Sequence, residues 1–543
     1  MTRNLRYQYS GNITKAVAGL LIIAVGFTSC SKFTELTPKN QLADNTVFTD
    51  SAQVELALNG VYNAAAIGSY NDSYTAGRGY PFGAASIEQG EMRGEDMVNL
   101  EGFYEITYKA QYSTTSANNV NMWVNLYALI NQANTFIEGV KAATGKGVIS
   151  SAKGLQLESE ARFLRALAHH ELLIHFCRPY ASKNGGEMGI PYRTMAMNSV
   201  AKIEEGIKVG RGTVAEAYDK ILADLDFAEP NLNGTTKFGY NHATQGAVIA
   251  LKMRVKLHKG DYAGVIAEGV KLGTAAAGTS FTSAINGYAL TASPDEPFTK
   301  NDKNGESVFS IANSALANGD TNGALASMFL PSTSGGRGLV ATSPNLYNAP
   351  FWATDDLRRS LMQIKQTTTK DGKPVDNYYF SYKYRDGLNK SDWAPIIRYA
   401  EVLLNAAEAY SRTGNIAQAF LLYNAVRNRS LPAASPNRIT VPPADMTLAI
   451  LNERRVEFAG EGRRWPDIHR LALDPVYSAK GIPAKILKAD LKTDGSDYNT
   501  TTRPTVTPSY NAITYTDYRF IWPIPSTETA SNPTLKAQQN PEY

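Results

Sequence analysis

Residues 399–428, YAEVLLNAAEAYSRTGNIAQAFLLYNAVRN, read as two helices joined by one tight turn. Small Ala407 and then Tyr410 precede Gly414; Ala419 and Tyr423 follow it. Residues 251–272, LKMRVKLHKGDYAGVIAEGVKL, repeat the turn at Gly260–Asp261, with poorer matches after it. Short connections between periodic helices imply antiparallel neighbours. Small residues on the facing sides let such helices pack closely. The pattern commits much of the chain to helix packing, and it speaks of scaffold rather than chemistry.

The spacings are close to those of the tetratricopeptide repeat, a helix–turn–helix of about 34 residues. Other helices are legible around the two pairs. Asp50 and Gln53 form an N-cap pair, followed by Val54, Leu58 and Val61 at helical spacing. Residues 121–140 place Trp123, Tyr127, Ile130 and Ile137 on one face. Residues 155–176 are apolar nearly all round, which predicts a central helix. Residues 213–230 open on a Thr213/Glu216 capping box and stop at Pro230. Residues 274–395 and 476–543 differ in texture, rich in Gly, Ser, Thr, Asn and Pro. Loops this long inside a compact protein are usually functional. The run NYYFSYKYR (377–385) suggests a strand whose rings alternate faces.

The N-terminus reads as a leader. Arg3, Arg6 and Lys15 precede a twelve-residue apolar run at 16–27, short of the roughly 20 residues that span a bilayer. The run leads into FTSC, which resembles a lipobox with Cys30 as the lipid-modified first mature residue. The whole chain carries 54 basic and 50 acidic residues, and removal of 1–29 takes three basic and no acidic ones. The near balance gives no electrostatic case for nucleic acid, which demands clustered Lys and Arg. Cys177 then stands without a disulfide partner other than the anchor. The 30 tyrosines are the compositional departure, and surface tyrosine suits the gripping of flat amphipathic ligands.

Tests for chemistry return little. In HELLIH, His170 and His175 are five apart, whereas a zinc pair on one helical face needs four, so no metal site is expected. There is no phosphate loop and no nucleophile elbow, and no cofactor is expected. The densest charge lies at 453–470, where nine of eighteen residues are Asp, Glu, Lys or Arg, against 19% overall. Glu453 and Glu457 are i,i+4, as a carboxylate pair could be, but Arg454, Arg455, Arg463 and Arg464 crowd them. Arginine lowers carboxylate pKa values, the wrong direction for a general acid. Five positive against four negative charges predict an internal ion-pair knot.

ERRVEFAGEGRRWPDIHRL (453–471) resembles the signature of the SusD/RagB family of outer-membrane nutrient-binding lipoproteins. It matches at Glu453, Arg454, Arg455, Glu457, Phe458, Glu461, Gly462, Arg464, Trp465, Asp467, Ile468 and Arg470. Five further blocks in order are similar to the family: residues 34–64, 123–134, 160–173, 398–410, and the ending at 524–543. The departures are one extra residue in KAQQNPEY, Glu542 where Gly is usual, and His169–His170 where aromatics are common. The resemblance implies a mainly α, tetratricopeptide-like SusD-like scaffold whose long loops and short strands form the ligand face. It implies residues 1–29 as signal peptide and 30–543 as one SusD-like domain. Within the latter, 30–275 is the N-terminal helical part, 276–395 a loop-rich insertion, 396–475 the repeat-like pair with the signature, and 476–543 a loop-rich C-terminal part.

The resemblance also implies a binding protein rather than an enzyme. It would be anchored in the outer membrane through Cys30 and would hand a glycan, or in some relatives a peptide, to a SusC-like TonB-dependent transporter. Sugars pack their C–H faces on aromatic rings and offer hydroxyls to amides and charges. Two loop regions offer such groups: Tyr74, Arg78, Tyr80, Asp96, Asn99, Tyr104 and Tyr108 in the first, and Tyr347, Phe351 and Trp352 beside Asn345 and Asn348 in the second. Trp352 is the best single candidate by size of stacking face, with a core position beside Leu346 and Leu357 as the equal alternative; Trp123 and Trp465 belong to the core. A glycan-active hydrolase would need a cleft carboxylate pair with raised pKa. A pure interaction scaffold would need a helical concave surface without loop aromatics.

Overall fold

The computed structural model describes residues 47–68, 79–232 and 239–543. The chain divides after Val54 into two units, and of the first the structure describes residues 47–54. In the first, Asp50 Oδ1 accepts from the Gln53 amide at 3.0 Å, the N-cap pair expected there. This cap opens helix α1 (Ser51–Ile67).

The second unit is built on helices. In chain order they are α2 (Ala84–Met92), α3 (Ala117–Gly145), α4 (Ser151–Phe176), α5 (Val200–Gly206), α6 (Val214–Asn231), α7 (Gln245–Lys259), α8 (Tyr262–Lys271), α9 (Tyr399–Arg412), α10 (Ile416–Arg429), α11 (Met446–Glu457) and α12 (Arg464–Arg470). Shorter helical turns fill the loops. α3 packs on α4, α4 on α6, α6 on α7, α8 on α9 and α9 on α11. The two expected pairs form as read. α7 ends at Gly260 with φ +75°, and α9 gives way to α10 at Gly414 with φ +90°. Glycine bears a left-handed φ at little cost, which is why each pair turns there. Ala407 and Ala419 are fully buried between their helices. α6 opens on the complete Thr213/Glu216 capping box and ends at Asn231, one residue past Pro230. α4 is buried along most of its circumference, His169, His170 and His175 included.

Strands are short and pair only in twos. In chain order they are β1 (Met97–Asn99), β2 (Ser307–Ile311), β3 (Val340–Thr342), β4 (Gln363–Lys365), β5 (Thr369–Lys370), β6 (Lys373–Pro374), β7 (Tyr379–Ser381), β8 (Ala394–Arg398), β9 (Gly481–Ile482) and β10 (Ile513–Thr514). All five pairs are antiparallel: β1–β3, β2–β8, β4–β7, β5–β6 and β9–β10. β7 carries part of the aromatic run read as a strand. Tyr378 and Phe380 are buried, while Tyr379 is half-buried. Among the described residues, no helix is long and apolar enough to cross a membrane.

Candidate functional site

β1 pairs with β3, Met97 opposite Thr342, and the Asp96 carbonyl accepts from the Ser343 amide at 2.9 Å. The two loop regions singled out by sequence are therefore neighbours. Their side chains, however, turn inward. Tyr80 (4% exposed), Asp96 (1%), Tyr104 (0%), Tyr108 (2%), Tyr347 (6%) and Trp352 (1%) are buried. Asn99 is nearly so, and its amide donates to the Glu101 carbonyl at 2.7 Å. Arg455 Nε donates to both oxygens of Asp96 at 3.1 Å. The Tyr108 hydroxyl donates to the Ile486 carbonyl at 2.8 Å, and Tyr80 Oη accepts from Gln89 at 3.0 Å. Burial raises the Tyr104 phenol well above its ordinary value.

The expectation of an exposed stacking face at Trp352 is corrected. Arg359 donates Nε to the Ala353 carbonyl at 2.7 Å and Nη2 to the Tyr347 and Trp352 carbonyls at 2.7 and 2.8 Å. These bonds curl the segment around the indole, and the guanidinium lies 4.4 Å from its ring. Neither Trp352 nor Tyr347 presents a free ring as placed; Phe351 beside them is half-buried, with the Arg455 guanidinium 5.4 Å away. Tyr74, Arg78 and Cys30 lie outside the described residues.

The accessible aromatic face lies elsewhere. The β2–β8 ladder closes at Ile311 opposite Ala394, and the next residue is Trp393. It is half-buried, whereas Trp123, Trp352, Trp465 and Trp522 are all at most 2% exposed. Its indole N–H donates to the Asn313 carbonyl at 3.0 Å, which fixes the ring. Loops 312–323 and 382–393 are sewn together around it. Asn313 Nδ2 donates to the Asp392 carbonyl at 2.8 Å, Asn318 Nδ2 to the Asn389 carbonyl at 3.3 Å, and Lys390 Nζ to Asp320 Oδ1 at 2.5 Å. A third loop joins through Arg337. Its Nη1 donates to Asn322 at 2.9 Å, and its guanidinium sits 4.7 Å from the ring of Phe103, which is 36% exposed. Leu316 and Leu388 are 100% and 88% exposed on the same loops. Asp320 and Lys390 hold left-handed φ values of 51° and 57°. Non-glycine residues persist there only where surrounding contacts over-determine them. The face thus offers partly open rings, amides and charges on loops held by a ladder, a composition suited to hydroxyl-bearing ligands.

Of the carboxylates on this face, Asp392 is raised by burial, but its two oxygens are taken up by the Arg385 and Asp386 amides at 3.0 and 2.9 Å, and Asp386 is held below its ordinary range by hydrogen bonds from Ser391 and Asn389. Asp320 is held below its ordinary range by its hydrogen bond to Lys390. Burial, together with the charge on Asp96, pushes Glu91 up to about 8. Glu91 borders only a void of about 10 Å³ inside the charged knot.

That knot is the 453–470 stretch. Glu457 accepts from Arg398 and Arg429 at 2.9 and 2.7 Å and from Arg358 at 2.8 Å. Glu461 accepts from Arg398 at 2.7 Å and from Lys383 at 2.5 Å. Arg454 and Arg470 share Asp467 at 2.8 Å each, and Arg470 also holds both oxygens of Glu408. Burial alone would raise the Glu457 carboxyl, but the guanidiniums of Arg429, Arg398 and Arg358 hold it far below its usual range. The stretch fastens elements together and leaves no room for a substrate. Elsewhere, the rings of His170 and His258 meet edge to face at 4.8 Å, and burial keeps both neutral. Among the described residues, no group of three or more His, Cys, Asp or Glu is placed to hold a metal ion.

Sequence reasoning passed over Trp393 and Phe103. The signal was present in LNKSDW, a tryptophan closing a polar loop.

Fold and face together define a tetratricopeptide-like helical scaffold that displays a loop-borne aromatic and polar face. The chain belongs to the SusD family: the profile described as SusD family matches residues 305–543, and one described as starch-binding associating with outer membrane matches 35–257. SusD-like protein P38 of Formosa agariphila is 24% identical over 517 residues, 84% of this chain and 91% of that protein. A SusD superfamily protein from Bacteroides fragilis superposes with TM-score 0.71 at 26% identity, covering 90% of this chain and 99% of that one. Surface glycan-binding protein A from Bacteroides uniformis shares the fold at TM-score 0.65 and 18% identity, over 90% of this chain and 99% of its own.

Proposed function

We propose that the protein is a non-catalytic glycan-binding lipoprotein of the outer membrane. It is anchored through Cys30 and captures an oligosaccharide for a SusC-like TonB-dependent transporter. The observation that carries this reading is the half-buried Trp393, fixed through its indole N–H and flanked by asparagines and an Arg337–Phe103 pair. The description of the matching profile as starch-binding and the naming of a structural neighbour as glycan-binding support it. Tyr74 and Arg78 are further candidate contacts from their residue types and loop sequence. Phe351 is another, from its half-open ring. Tyr80, Asp96, Asn99, Tyr104, Tyr108, Tyr347 and Trp352 act as support behind the loops. Leu316 and Leu388, both open to solvent beside Trp393, favour a second reading in which the ligand is a peptide with apolar side chains.

The test is calorimetry and affinity-gel migration of residues 31–543 against polysaccharides, oligosaccharides and peptides, with Trp393→Ala in parallel. Glycan binding without new reducing ends, weakened at least about tenfold in the variant, is expected. Binding by peptides alone selects the second reading. Release of reducing ends overturns the non-catalytic role.

A further inference from the structure

A cleft of about 380 Å³ lies between the C-terminal half of α10 and residues 279–291, within the usual size range of small-molecule sites, about 300–1,000 Å³. It is separate from the Trp393 loops. Arg429 on its wall bonds Glu306, just before β2, whereas Trp393 lies beyond the other end of the β2–β8 ladder. Five strand residues at about 3.3 Å each stand between them.

Asn424 and Asn428 are i,i+4 on α10 and therefore share one helical face, which lines the cleft. Asn424 is only 6% exposed. Its Nδ2 donates to the Ile439 carbonyl at 3.1 Å, which fixes the amide, and its Oδ1 accepts from no protein donor. The Oδ1 of Asn428 is likewise buried and unpaired. Arg429 completes the wall. Its Nη1 donates to Glu306 at 2.8 Å and its Nη2 to Glu457 at 2.7 Å, so its charge is matched, yet its Nε meets no acceptor. Buried polar atoms are rarely left without partners, and each such exception needs a reason. Two acceptors and one donor remain unmatched along one wall.

The balance of these groups selects the ligand. A hydroxyl can donate to an amide oxygen while accepting from a guanidinium N–H. An anion would face two oxygens it cannot bond. The second arginine of the cleft, Arg438, is spent on the Asn428 and Leu431 carbonyls at 2.8 and 2.7 Å, where it closes the end of α10. Phe281 adds an apolar wall, and Thr279, Ser280 and Thr282 supply hydroxyls at the open rim. We infer that this cleft is a second binding site, distinct from the loop face, for a small neutral polyol of the size of a single sugar ring, held by Asn424, Asn428 and Arg429 Nε.

The test is saturation-transfer NMR on the full-length protein with glucose, galactose, mannose, xylose and inositol, against glucuronate and inorganic phosphate as anionic probes. Saturation of at least one neutral probe is expected. It should be lost, or weakened at least about tenfold, in Asn424→Leu, and kept in Trp393→Ala. Asn428→Leu carries the same expectation and serves if a melting curve shows that the first variant does not fold. The inference is overturned if only the anions bind, if no probe binds, if both asparagine variants bind like the parent, or if Trp393→Ala abolishes the signal. Polymer binding by the loop face is read separately on gels, so either site can fail without the other.

Discussion

Arg398 shows how a charge is kept in an interior. Its side chain is 1% exposed and touches Glu306, Glu457 and Glu461 at once. Desolvation of such groups costs several kcal/mol each, and only several well-placed partners offset it. Arg398→Met would leave three buried carboxylates each one cation short. A loss of about 3–5 kcal/mol is expected from urea unfolding, and a loss under 1 kcal/mol would show the knot to be dispensable. Glu91 makes a different prediction. Its Oε1 accepts from the Gly462 amide at 2.7 Å while burial raises its pKa from the ordinary carboxyl value to about 8. Between those values the native state holds a proton that the unfolded chain has released, so stability falls as pH rises through the window. Burial lowers Lys485 to about 7, and its contribution runs the other way above that pH. In Glu91→Gln the melting temperature should gain on the parent as pH goes from 5 to 8. A gap independent of pH would refute the assignment.

At the level of elements, the family signature explains its own glycine. α2 crosses the turn at 460–463, and a Cβ placed on Gly90 would lie 2.5 Å from the Gly462 carbonyl oxygen. Gly462 itself has φ +72°. Backbone meets backbone there, so nothing flexible can yield. Gly90→Ala should cost about 1–3 kcal/mol, read as a lower denaturation midpoint with an unchanged slope; an unchanged midpoint would mean that α2 slides freely. The helix pairs α7–α8 and α9–α10 were legible because periodicity, small residues and turn glycines are local signals. The β1–β3 pairing was not. Its strands have three residues each and join segments far apart in sequence, with no alternation to betray them. The burial of Trp352 escaped for a related reason: it depends on Arg359 collecting three carbonyls, which no spacing records. The charged knot was legible as a knot from its balanced signs, but its partners Glu306, Arg358, Lys383 and Arg398 come from the loop-rich insertion and the strand closing it.

Across the whole molecule, the proposed function assigns binding and stability to different parts. Trp393 sits on loops at the end of a ladder, with one hydrogen bond from its ring. Trp393→Ala should therefore shift the melting temperature by no more than a few degrees while it weakens glycan binding. A large thermal loss with binding intact would invert that division. Stability draws instead on contacts between distant segments. Arg211 donates to the Gln538 carbonyl at 2.8 Å and to Asn540 Oδ1 at 2.7 Å, and Asn540 donates to the Phe176 and Trp522 carbonyls at 3.0 and 2.6 Å.

The knot has a consequence for synthesis. Arg358, Arg398 and Arg429 are made before the carboxylates of 453–461 that neutralise them. A chain released after Arg429 would carry these cations with Glu453, Glu457 and Glu461 missing from among their partners, and pulse-labelling should show it degraded far faster than the parent. Products of premature stops or frameshifts before Glu453 should then be cleared, because the acids that complete the knot are translated after the arginines they neutralise.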